Sequence, residues 1–170
     1  MKAEIHPLEK VVIDGITICL GMTQSEIETL MKTGQKIGNR YYYFNGEIAI
    51  DYNENKIEFI EFLGGVDGRY QPMIYGVSAF DIHADKLIEI LKKHNHEKYC
   101  EMENGHFYCF PNIGIGIYRE AAPQEIEEMI AEAAAFGTPL SADEIEYESK
   151  RANRFATIGV GIKGYYGDNY

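Results

Sequence analysis

The sequence predicts an α+β fold: two α-β-β-β units forming antiparallel sheet, followed by a C-terminal helical pair and a closing strand. Three observations carry this. Asn45-Gly46 and Asn104-Gly105 each lie between β-prone runs, and Asn-Gly supplies the positive φ that tight hairpin turns need. Helical periodicity is confined to short stretches. The order helix, strand, turn, strand occurs twice at almost the same spacing.

The first unit opens on the apolar run Ile16–Leu20. Thr23 and Glu26 have the capping-box spacing, and Ile27, Leu30 and Met31 form a helical stripe that Gly34 is expected to end. Strands follow at Tyr41–Phe44, Ile48–Tyr52 and Ile57–Phe62. The second unit starts with a strand at Tyr75–Phe80 and takes Asp81 as its N-cap. Its helix carries Ala84, Leu87, Ile88 and Leu91, and its strands span Tyr99–Met102, Phe107–Phe110 and Ile113–Tyr118. The helices superpose at a shift of 60 residues and the Asn-Gly turns at 59. Beyond them, Pro123 starts a helix with Ile126, Met129, Ile130 and Ala133 on one stripe. Gly137-Thr138-Pro139 breaks it, and Ser141 with Glu144 caps a second helix reaching about Asn153. Phe155–Ile162 closes as a strand, and Gly164–Tyr170 is expected to be a loose end. The chain of 170 residues is thus expected to be one domain, 1–170, with repeat units at about 11–63 and 73–119 and a helical extension with the final strand at 120–170.

Composition narrows the function classes. With 45% hydrophobic and 25% charged residues the chain is globular, and no apolar run has the length of a membrane span. The N-terminus lacks the apolar stretch of a secretory signal, so a cytoplasmic location is expected. Sixteen Lys and Arg against 27 Asp and Glu give a net charge of −11, which argues against a nucleic-acid partner. Cys19, Cys100 and Cys109 are odd in number without C-x-x-C spacing, so neither a disulfide framework nor a zinc ribbon is expected; they read as small buried hydrophobes. His94-Asn95-His96-Glu97 follows two lysines at the end of a helix, where His suits the negative dipole end better than a metal. Ile113-Gly114-Ile115-Gly116-Ile117 and Ile158-Gly159-Val160-Gly161-Ile162 lack the Lys and Ser/Thr of a phosphate loop. In strands their glycines share one face, bare enough for a helix or an aromatic ring to approach, and the two strands are expected to share a sheet. No catalytic signature occurs, and no enzyme activity, cofactor or metal is expected.

Charge is the informative feature. Nine acidic residues and no Lys or Arg lie between Glu120 and Glu148. Glu125, Glu128 and Glu132 fall on one side of their helix, away from its apolar stripe. A second acidic set, Glu47, Asp51, Glu54, Glu58, Glu61 and Asp67, is offset only by Lys56. With thirteen tyrosines, this describes a surface suited to a basic protein partner. The expected partner-binding residues are Glu125, Glu128, Glu132, Asp143 and Glu146, with Asp67, Arg69 and Tyr70 of the Gly64–Pro72 connector as anchors. A rival reading places a small-ligand or enzyme pocket between the units, lined by Tyr41, Tyr43, Arg69 and Tyr108. A third makes the doubled sheet a structural oligomer face; the sequence leaves the oligomeric state open.

Cys19-Leu20-Gly21-Met22-Thr23-x-x-Glu26-Ile27 resembles the opening of the small α/β units found in tandem in β-lactamase-inhibitor-protein-like folds. The doubled unit in a short acidic chain is also similar to immunity proteins of bacterial polymorphic toxin systems. The resemblance spans about residues 11 to 119, and the acidic helices have no counterpart in it. It implies a protein that occludes another protein's active site without catalysis of its own, here a basic nuclease-type toxin. Absence of a secretion signal and of a cysteine pair separates the chain from a secreted inhibitor.

Overall fold

The computed structural model describes residues 1–167. Antiparallel hairpins dominate it, with four α-helices among the described residues, the α+β class that the sequence predicts. Strands β1 (Lys2–His6), β2 (Lys10–Ile13) and β3 (Ile16–Cys19) form a meander. Helix α1 spans Gln24–Met31. Strands β4 (Gln35–Ile37), β5 (Arg40–Tyr43), β6 (Ile48–Asn53) and β7 (Lys56–Phe62) follow, then β8 (Gln71–Ile74) and β9 (Val77–Ser78). Helix α2 (Ala84–His94) leads to β10 (Cys100–Met102), β11 (Phe107–Phe110) and β12 (Ile115–Tyr118). Helices α3 (Pro123–Ala135) and α4 (Ala142–Ala152) precede β13 (Thr157–Gly161).

Two sheets result, ordered β3-β2-β1-β8-β9 and β10-β11-β12-β13-β7-β6-β5-β4. The larger has β13 at its centre, flanked by β12 and β7, the last strand of each unit. Both units turn the same way. Phe44-Asn45-Gly46 and Glu103-Asn104-Gly105 all have positive φ, in four-residue loops that set Tyr43 opposite Ile48 and Met102 opposite Phe107. Register places Ile50, Ile60, Val160, Ile115 and Phe110 in one cross-strand row, and Ile48, Phe62, Ile158, Ile117 and Tyr108 in the next. These rows face Ala3, Ile5, Val11, Ile13, Ile18 and Ile74 of the smaller sheet, Ile27 of α1, and Leu87 and Leu91 of α2, to form the core.

The opposite face of the larger sheet is where the glycines lie. Gly116 and Gly159 are directly paired. A side chain at Gly159 would collide with the Phe59 ring, and one at Gly116 with Tyr166. The bare face therefore admits aromatic rings, as expected: Tyr165 stacks on Phe59 at 4.4 Å between centroids, and burial drives the Tyr166 hydroxyl well above its ordinary pKa. Tyr165 and Tyr166 thus pack on the sheet, against the expectation of a loose end at Gly164–Tyr170; residues 168–170 lie outside the described residues. Gly114 is not in the strand: it turns the chain at φ 62.

Several expectations are corrected. The β1–β2–β3 meander was not anticipated, although its second turn is Asp14-Gly15 with both φ positive. The connector expected at 64–72 contains the start of β8, which runs parallel to β1. Tyr75-Gly76 is a turn, leaving only Val77–Ser78 of the expected strand. Helix α1 ends at Met31 with Lys32 at positive φ; Gly34 instead makes room for the Tyr43 ring. The cap of α2 is His83, whose Nδ1 accepts from the Asp85 N–H, and not Asp81. Cys100 and Cys109 stand opposite each other on β10 and β11, 5.1 Å apart at Cα, and form a disulfide. The three cysteines are therefore a pair plus Cys19. His94 and Asn95 end α2, as the charge at that terminus predicts; among the described residues no cluster of metal-ligating side chains occurs.

Candidate functional site

Helices α3 and α4 pack against each other as a hairpin that stands away from the sheets. Only Ile126 of α3 and Ala152 of α4 are buried. Met129, Ile130 and Ala133 are half-buried, as are Leu140 and Ile145, so the hairpin's apolar stripe is used within the pair. Phe136 at its tip is 84% exposed. The arm starts where Pro123 sets the first turn and Glu125 accepts the Ala122 N–H at 2.7 Å. The same carboxylate meets His106 Nε2 at 3.0 Å, while His106 Nδ1 faces the Arg119 carbonyl. These contacts hold the Glu125 carboxyl below the usual range, the Ala122 N–H first and His106 second. In α4, Ser141 and Glu144 form the expected capping box. Arg151 closes the root of the arm by pairing with Glu120 and Glu148, and the Tyr147 hydroxyl donates to Asp67 at 3.1 Å.

The structure sorts the expected partner-binding residues into four groups. Glu128, Glu132, Asp143 and Glu146 are exposed on the arm, with Glu127 beside them, and none is in an ion pair among the described residues. Glu125 and Asp67 are engaged within the fold, at His106 and Tyr147. Arg69 is exposed, and its carbonyl accepts from the N-terminal ammonium. Tyr70 is a core residue, 4% exposed and tilted against Phe44, so it is no surface anchor.

The rival inter-unit pocket does not assemble. Tyr41 and Tyr43 lie on β5 and Tyr108 on β11, with four strands between them, and Tyr43 and Tyr108 point into the core. The second acidic set is also less bare than its sequence. Arg40 of β5 reaches Asp51 at 2.9 Å and Glu61 at 2.7 Å, and Glu61 accepts the Thr157 hydroxyl. Burial raises the Asp51 carboxyl above its ordinary value despite that arginine. Cross-strand pairing across eleven residues carries no local signal, which is why Arg40 escapes a reading of the linear charge pattern.

Missed residues include Tyr147, Arg151 and Phe136. The i,i+3 spacing of Glu148 and Arg151 was visible, but the long-range partners Asp67 and Glu120 were not. Among the described residues no helix is long and apolar enough to cross a membrane. Comparison with protein families, with characterised proteins and with solved structures finds no match for the chain.

Proposed function

We propose that this protein recognises a basic protein partner without catalysis, its α3–α4 arm supplying the docking surface, and that the partner is a nuclease-type toxin which it neutralises. One observation carries the reading: the arm exposes Glu127, Glu128, Glu132, Asp143 and Glu146, none of them in an ion pair among the described residues, with Lys150 and Arg151 confined to the last turn of α4. Like-charged residues on one short hairpin repel one another, and solvated helix faces ordinarily mix signs. A cationic cleft built for phosphates relieves that repulsion on docking and is steered to the arm from a distance. The resemblance to immunity proteins supports the same reading.

The test compares two triple variants with equal net charge. One carries Glu128→Lys, Glu132→Lys and Glu146→Lys; the other carries Glu54→Lys, Glu89→Lys and Glu97→Lys, all exposed and outside α3 and α4. Native lysate is passed over each immobilised protein, and captured material is assayed for nuclease cleavage before and after release. The expected result is a partner whose capture weakens steeply with salt, whose activity is suppressed in the complex, and which is lost from the arm variant alone. Equal capture by both variants would refute the arm as the interface.

A further inference from the structure

The arm ends in a surface that its acids do not explain. Residues 133–142 carry no charge, and the charged side chains that bracket them are Glu132 on α3 and Asp143 on α4. Phe136 at the tip is 84% exposed, the highest value of any large apolar side chain among the described residues, and it lies outside the core. Single exposed apolar groups are ordinary on a protein surface. This one has company, because Ala134, Ala135 and Pro139, all within three residues of it, are exposed as well. The arm is thus an apolar head on acidic sides, with Glu127, Glu128 and Glu132 along one helix and Asp143 and Glu146 along the other.

The head is held in one conformation. Phe136 closes α3, its N–H donating to the Glu132 carbonyl at 2.9 Å. Gly137, at φ 78, turns the chain so that its own N–H reaches the Ala134 carbonyl at 3.1 Å and the Thr138 N–H reaches the Ala133 carbonyl at 3.0 Å. These are the paired bonds of a helix ended by a left-handed glycine. Two residues beyond Pro139, Ser141 and Glu144 cap α4. Backbone bonds and the glycine make this turn, so the fold places no demand for an aromatic ring at position 136. A ring on a fixed mount loses little freedom on burial, and aromatic side chains surrounded by polar contacts are common anchors of protein interfaces.

We infer that the tip is an insertion element: Phe136 enters an apolar pocket on the basic partner, and the arm's acids meet Lys and Arg at that pocket's rim. The inference rests on the reading of the arm as the docking surface, and adds where the partner is gripped and what its cleft contains. Charge complementarity decides the occupant. The acids on both sides of the tip repel an anionic lipid surface, and two copies meeting tip to tip bring like charges together.

The test places p-benzoylphenylalanine at position 136, with Ile37 replaced in the same way as control, and irradiates each protein in native lysate. Ile37 is also exposed, but lies on β4 at the edge of the larger sheet. The expected cross-link is specific to position 136, and the residue it joins lies in an apolar segment flanked by Lys or Arg. The protein so identified is purified and titrated with Phe136→Ala, with Phe136→Leu, and with the arm variant that carries Glu128→Lys, Glu132→Lys and Glu146→Lys. Phe136→Ala is expected to weaken binding at least about ten-fold. That factor should be the same at low and moderate salt, because ions do not screen apolar burial, whereas the loss in the arm variant shrinks as salt rises. Phe136→Leu, which keeps apolar bulk, recovers most of the affinity. Wild-type binding by Phe136→Ala with an impaired arm variant overturns the anchor and leaves the acidic interface standing; wild-type binding by both overturns the two together. Loss in Phe136→Ala alone overturns the cationic rim. No cross-link from position 136, or one to a second copy of this chain, overturns the insertion. Thermal midpoints of the two Phe136 variants should equal that of the wild type, and a fall would overturn the inference by giving the ring a role in the fold.

Discussion

Asn95 is fully buried at the end of α2, and its carboxamide joins that helix to the loop before β12. Oδ1 accepts the Ile113 N–H at 3.1 Å, and Nδ2 donates to the Lys98 carbonyl. The Asn95 carbonyl accepts from Asn112, a contact that side-chain truncation leaves in place. Asn95→Ala removes both side-chain bonds and leaves the Ile113 N–H buried without a partner, while the carbonyl of exposed Lys98 turns to water. At about 1–3 kcal/mol for a buried unsatisfied group, the loss is about 1–3 kcal/mol, a sizeable part of a domain stability of about 5–15 kcal/mol. For a chain of this size a loss near the middle of that range lowers Tm by roughly 4–8 °C. Urea unfolding should show a lower midpoint with an unchanged slope. Asn95→Asp keeps the acceptor for Ile113 but sets an oxygen against the Lys98 carbonyl. It should be unstable at neutral pH and recover as acid protonates the carboxyl and restores a donor. A loss below about 1 kcal/mol in Asn95→Ala would refute the reasoning, because such a value means that water or a rearranged backbone satisfies the Ile113 N–H.

Other outcomes follow from the same geometry. Gly159→Ala drives the Phe59 ring from its place and should destabilise by about 1–3 kcal/mol; burial lifts the Tyr165 hydroxyl to about 12, and ultraviolet titration of the variant should show it returning toward an ordinary tyrosine. The Glu125 carboxyl is held low by the Ala122 N–H and His106, and the Glu144 carboxyl by the Ser141 hydroxyl and N–H. A carboxyl whose pKa is depressed on folding stabilises the folded state above its unfolded pKa and loses that contribution as pH falls through the folded value. The amide shifts of Ala122 and Ser141 should therefore be constant at neutral pH and move together only below the ordinary carboxylate range, and Glu125→Gln should reproduce the acid-state shift of Ala122 at pH 7. Reduction of the Cys100–Cys109 bond opens a loop of about ten residues and should lower stability by about 2–3 kcal/mol in urea; identical midpoints with and without reductant would exclude the bond.

Much of this fold is written in local signals. Capping boxes at Thr23 and Ser141 and the paired Asn-Gly loops rest on neighbours within four residues, and all appear where the sequence puts them. The glycine alternation of β12 and β13 is legible for the same reason, since side-chain direction in a strand depends only on parity. Long-range pairing is where reading the chain fails. The run Gln71-Pro72 has little strand character of its own, and β8 exists because β1 offers it a parallel edge. Tyr70 looks like a surface anchor beside Arg69, but burial under Phe44 is decided by packing. The disulfide was nearer to hand. A four-residue loop at Glu103–His106 sets Met102 opposite Phe107, and counting outward two residues on each side places Cys100 opposite Cys109. At the arm, charge and capping were readable, whereas its isolation from the sheets and its ties to Asp67 and Glu120 were not.

The position of β13 bears on how the chain assembles. It is the thirteenth strand in order of synthesis, yet it fills the middle of the larger sheet, so β7 and β12 wait with open edges until it is made. A nascent chain stopped after Tyr118 holds two half-sheets that have every local turn and nothing to zip them together. Such unpaired edges invite neighbouring chains, and joining them through a segment so distant in sequence is slow. Synthesis of β13, more than formation of either repeat, is then the event that commits this molecule to its shape.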